Sequence, residues 1–181
     1  MYTRSPVENA DTVSRVCALL GRFPELSSIR SLPGEGTVRL TFAVRARLDK
    51  AARAGIAEAI EDHVGGFLML GNDEPATLRV ECDSDRAMSF VHVTRDLETF
   101  SKSELEMLGG LFTDRFGEAL VRNPVEDQLE EDAAVQDEIA EYAIEALRDP
   151  AQSKSLVGFR EEAHVLVYFL KQKKAKASAR R

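Results

Sequence analysis

Between residues 38 and 45 the chain alternates without a break: Val38, Leu40, Phe42 and Val44 take one parity, Arg39, Thr41, Ala43 and Arg45 the other. Successive side chains on a strand point to opposite faces, so this octad is satisfied only as a strand with one buried side and one wet side. Strands of a parallel sheet, covered by helices on both faces, read instead as nearly continuous apolar runs. The alternation therefore commits the chain to an antiparallel sheet with one solvated or partly covered face.

The flanking segments supply partners for that strand. Ser5-Pro6-Val7-Glu8 has the form of a helix start, and Val13, Val16, Cys17 and Leu20 follow at helical spacing up to Gly21. A short strand is expected over Leu26–Ser31, with Pro33-Gly34 forming a type II turn. Asp49 caps a helix carrying Ala52, Ile56, Ala59, Ile60 and His63, which Gly65-Gly66 weakens before the loop from Gly71 to Pro75. Two strands follow, about Thr77–Cys82 and Met88–Thr94, joined through Asp83-Ser84-Asp85-Arg86. Ser101 and Glu104 make a capping box, with Phe100 and Leu105 as its hydrophobic staple, for a helix burying Leu105, Leu108, Phe112 and Phe116.

Asn123-Pro124 opens a longer helix over 124–149 with a stripe of Leu129, Ala133, Ile139, Ala140, Ala143 and Leu147, ended by Asp149-Pro150. A loop rich in Ser, Lys and Gln leads to Phe159, and Ala163–Leu170 is the last strand expected, its apolar run suiting a central position. Strands arriving in pairs and helices between the pairs indicate an α+β fold: a largely antiparallel sheet of about five strands, helices mainly on one face. A ferredoxin-like or related split arrangement is compatible with the first 120 residues. The 181-residue length suits a single α+β domain over 1–170 followed by a basic disordered tail, 171–181.

Several classes are disfavoured at this stage. The longest strongly apolar run, Val165–Leu170, is strand-sized, so no membrane span is expected. No cationic-then-apolar leader opens the sequence, which reads as cytoplasmic. Cys17 and Cys82 lack metal-type spacing and read as small core residues. No metal or cofactor is expected: there is no Gly-rich phosphate loop, no His-Glu-x-x-His and no Glu-x-x-His. No catalytic residue is assigned, since a Cys82–His92 pair lacks an orienting third group.

Charge carries the functional reading. Lys171, Lys173, Lys174, Lys176, Arg180 and Arg181 stand in the last eleven residues without an acid, while the preceding residues hold 18 basic and 31 acidic side chains, a net −13. From Glu126 to Asp149 there are ten acids and one base, Arg148. Against this stands the cluster Arg39, Arg45, Arg47, Lys50 and Arg53, with Asp49 its one acid. Three accounts of that cluster compete: an ordinary wet face, a face covered by the acidic helix, and an anion-binding patch suited to arginine's planar fork. The reading preferred is a non-enzymatic protein-interaction or regulatory module, docking a protein partner or a second copy through the acidic helix or the Arg-bearing face. An RNA- or ribosome-associated factor using residues 39–53 and the tail is the alternative; a small-ligand binder or enzyme comes third. Sequence-specific DNA binding is not expected.

Overall fold

The computed structural model describes residues 6–122, 130–149, 154–161 and 164–170, side chains 6–11 and 130–133 excepted. Ser5, residues 123–129 at the start of the segment expected as the acidic helix, Pro150, Ala163 and residues 171–181 lie outside the described residues.

In chain order the elements are α1 (Pro6–Arg22), β1 (Ser28–Leu32), β2 (Thr37–Val44), α2 (Lys50–Leu70), β3 (Leu78–Asp85), β4 (Met88–Asp96), α3 (Lys102–Phe116), α4 (Glu130–Leu147), β5 (Leu156–Glu161) and β6 (His164–Phe169). All six strands join one sheet in the order β3-β4-β2-β1-β5-β6, and every neighbouring pair is antiparallel. The α+β class and the antiparallel sheet are as the alternation dictates. The strand count is six rather than five, because β5 (Leu156–Glu161) begins inside the loop rich in Ser, Lys and Gln expected up to Phe159 and runs past it.

Because β2 and β3 both run antiparallel to β4 between them, β2–α2–β3–β4 is a split βαβ unit. In a ferredoxin-like sheet the chain leaving the second helix would return as a full strand beside β2. Here it returns only as a bridge at Leu120, tied by Arg45 N–H to Ala119 O (2.6 Å) and Val121 N–H to Ala43 O (2.8 Å). The rest of that flank belongs to β1, and β5 and β6 extend the sheet outward, so the last strand, whose apolar run suits a central position, ends the sheet instead.

Register places Val167, Gly158, Ile29, Leu40, Val93 and Val80 in one cross-strand row on the buried side. The helices pack there. Phe112 of α3 stacks on Phe42 at 3.9 Å between centroids, and Ile56, Ile60, Val64 and Leu68 of α2 join the same core. α1 approaches β5 so closely that a Cβ on Gly158 would collide with Val16 and crowd Leu20, which fixes glycine at that position. α4 lies on α1 with Ala140, Ala143, Ile144 and Leu147 buried; Ile139, expected on the apolar stripe, is 42% exposed.

Local chemistry explains the element ends. Asp49 accepts from the Ala52 N–H at 2.8 Å, as a capping carboxylate should, and α2 runs unbroken through Gly65-Gly66. Pro33–Glu35 forms a 3-10 turn instead of a type II turn, because the left-handed position falls at Gly36 (φ +63°) rather than Gly34. The β3–β4 hairpin is also tighter than expected: Asp85 pairs with Met88, leaving Arg86 and Ala87 as the turn, with Arg86 at φ +53°.

Candidate functional site

Two groups of arginines sit on opposite sides of the sheet, and their environments differ in kind. On the helix side, Arg95 of β4 is fully buried. Its Nε and one Nη donate to Glu104 at 2.6 and 3.1 Å, the latter Nη also reaches the Thr99 hydroxyl (2.8 Å), and the other donates to Thr77 O (2.8 Å) and to Asp96. Asp96 accepts in turn from the Thr77 and Thr99 N–H groups and the Thr99 hydroxyl. Burial alone would raise the Asp96 carboxyl, but these donors and Arg95 hold it down at about 2. Burial raises the Glu104 carboxyl despite the pull of Arg95. Ser101 caps α3 through the Glu104 N–H (3.2 Å), yet the Glu104 side chain does not close the expected capping box, because Arg95 claims it.

On the other side no helix packs among the described residues. One cross-strand row there reads Tyr168, Val157, Arg30, Arg39, Thr94 and Arg79; the next reads Leu166, Phe159, Ser28, Thr41, His92 and Glu81. Arg30 and Arg39 are directly opposite on β1 and β2, a like-charge placement that disfavours the isolated sheet. Arg39 is paired with Glu81 at 3.0 Å, but its Nε is shielded from solvent and has no acceptor among the described residues. Arg30 and Arg79 are exposed, and neither has an ion pair or side-chain hydrogen bond among those residues. Beside them, Phe159 and Tyr168 stack at 5.8 Å and 17° between ring planes.

His92 lies within this face. Its Nδ1 meets the Thr41 hydroxyl at 3.0 Å and its Nε2 meets Asp83 at 3.1 Å. Burial, with Arg39 nearby, lowers the imidazole below its usual value although Asp83 pulls the other way. The order Thr–His–Asp matches a nucleophile, a base and an orienting acid, but Thr41 is buried in mid-sheet, where neighbouring N–H groups are committed to the strand ladder. No pair of free donors is left to stabilise an oxyanion. The chain of bonds fixes the imidazole. Cys82 pairs across with Val91 toward the core, so it and His92 occupy opposite faces and cannot act together.

The cluster expected from sequence is only partly assembled. Arg39 is on the open face; Arg45 and Arg47 follow the end of β2 and, with Lys50, are exposed without an ion pair among the described residues. Arg53 is occupied, donating to Leu48 O (2.9 Å) and the Ser84 hydroxyl (2.7 Å). The described part of the acidic helix does not cover these groups. It lies in the helix layer, where Asp137 meets Arg22 at 2.5 Å and Lys102 at 3.5 Å. Arg30 and Arg79 were not singled out in the sequence because each sits alone in its strand; only the register aligns them with Arg39.

A cleft of about 530 Å³ opens at one end of the sheet between Pro33, Glu35, Gly36, Thr77, Leu97 and the α4 end at Leu147–Asp149. Two of its charged groups, Arg148 and Asp96, are already used. Arg148 donates to Leu97 O (2.8 Å) and to Phe100 O, and both Asp96 oxygens accept from the network above. Among the described residues no three His, Cys, Asp or Glu side chains converge as metal ligands, and no helix is long and apolar enough to cross a membrane. Compared with known proteins, the chain matches no family model, no curated protein and no solved structure.

Proposed function

We propose that the chain is a non-enzymatic interaction module whose sheet face away from the described helices docks an acidic segment of a protein partner. The observation that carries this reading is the row Arg30–Arg39–Arg79: three guanidinium groups brought to one line on a face where no described helix packs, two of them without an acid among the described residues. Arginine forks suit carboxylates, and such a row costs stability unless an anionic group meets it. Val157, Phe159, Leu166 and Tyr168 continue the face as an apolar and aromatic flank, the mixture found at protein interfaces. A net charge near −13 outside the tail repels any polyanion at long range, acidic peptide and polyphosphate alike, so the short-range fork contacts of the row carry the docking.

Single-stranded RNA is the second reading, favoured by the stacked Phe159–Tyr168 rings, since aromatic residues beside arginines form a base-stacking platform. Fluorescence anisotropy with a labelled Glu-rich peptide and a labelled oligouridylate, each titrated with the full chain, separates the two. The peptide is expected to bind more tightly, to weaken as salt rises from about 50 to about 200 mM, and to be lost in the Arg30→Ala, Arg79→Ala double variant. Tighter binding of the oligouridylate moves the assignment to RNA. Binding of neither probe removes the proposal.

A further inference from the structure

The two edges of the sheet are built differently. β3 ends one side with Arg79, Glu81, Asp83 and Asp85 along its length, the charged pattern that deters another strand from adding. β6 ends the other with His164, Val165, Leu166, Val167, Tyr168 and Phe169, free of Lys, Arg, Asp, Glu and Pro. Tyr168 and Phe169 are 53% and 36% exposed. We infer that β6 is a self-association edge, pairing antiparallel with β6 of a second copy about a two-fold axis at Val167. This stands on the edge alone and does not depend on the docking role of the open face.

Hydrogen-bond directions fix the register. The Leu170 N–H donates inward to Ser155 O (2.8 Å), and the Arg160 N–H donates away from β6, to Ser27 O (3.2 Å). The pairs Phe159–Leu166 and Val157–Tyr168 are therefore the bonded ones, and the main-chain groups of Val165, Val167 and Phe169 point out from the sheet. An axis at Val167 sets Val167 against its own copy and Val165 against Phe169 twice, so all three outward residues find partners within the strand. An axis at Leu166 leaves Phe169 without a partner inside β6. The Val167 axis also preserves faces: Leu166 meets Tyr168 on the open side, and Val165 meets Phe169 on the helix side. Charge agrees with it. The sequence runs from Leu170 into Lys171, Lys173 and Lys174, and this register sets Leu170 against the partner's His164, the end of β6 beside the exposed Glu161. The assembly joins two open faces into one twelve-stranded face bearing two arginine rows.

Sedimentation equilibrium on the full chain tests the inference. A mass of twice 20.0 kDa is expected. Val167→Pro removes an N–H that makes no bond among the described residues, so it should weaken the dimer by more than about tenfold while the far-ultraviolet spectrum is kept. Independently, the Leu166→Cys, Tyr168→Cys double variant should oxidise to a covalent dimer that the parent chain, with Cys17 and Cys82, does not form, because these positions face each other in the non-bonded pairs. A monomer at all concentrations overturns the inference. So does a dimer that survives in folded Val167→Pro, or one that is broken by Ile139→Glu on α4 and not by change at Val167.

Discussion

Arg95 and Arg30 are two arginines of the same sheet with opposite fates. Arg95 is enclosed, and its donors are met by Glu104, Asp96, Thr99 and the Thr77 carbonyl. Arg30 is exposed opposite another arginine and meets no acid among the described residues. The difference is instructive because charge alone does not separate them. A saturated arginine holds elements together, here β4 to the start of α3. An unsaturated one, on a face where no described helix packs, contributes little to folding.

The contrast would be broken most directly at Arg95. Arg95→Ala leaves Glu104 and Asp96 buried without their cation, and urea unfolding should show a loss of about 3–5 kcal/mol. A loss under about 1 kcal/mol would mean the network is peripheral to the fold. Acid titration sharpens the same side. An unfolded Asp96 carboxyl titrates near 3.8 and the folded one at about 2, so its contribution is present above pH 3.8 and is lost as pH falls through 2. Asp96→Asn should remove that acid-dependent part of the unfolding midpoint; an unchanged pH profile would contradict the assignment.

On the open side the effects are smaller. The folded imidazole of His92 sits below its ordinary 6.5, so an unfolded chain takes up the proton first. Stability is expected to be full above pH 6.5 and to decline as pH falls toward the folded value, and His92→Gln should flatten that decline in thermal melts. The smallest effect belongs to the arginine row: Arg30→Ala and Arg79→Ala should each change unfolding free energy by less than about 0.5 kcal/mol. A large loss from either would reclassify it with Arg95.

Much of the fold was legible because it rests on short-range signals. The 38–45 alternation marked β2, Asp49 and Ser101 marked two helix starts, and Phe100 with Leu105 are both buried as a staple should be. What escaped depends on pairing between distant segments. β5 contains Gly158 and two charged residues, so it resembles a loop until β1 and β6 flank it. The Glu104 side chain reads as a cap because the cation that takes it lies in a different element. The candidate site followed the same rule. Sequence clustering pointed to Arg39 with Arg45, Arg47, Lys50 and Arg53, whereas register assembles Arg39 with Arg30 and Arg79 from three separate strands.

The decisive measurement joins stability to binding in one variant, Arg30→Glu with Arg79→Glu. Its thermal midpoint and its anisotropy titration with the Glu-rich peptide should be read side by side with the parent chain. A midpoint unchanged or raised, since the like-charge pairing with Arg39 is relieved, with binding abolished, is the predicted result. Full peptide binding by the reversed face, or a midpoint that falls as far as in Arg95→Ala, would contradict the division between the two sides of the sheet.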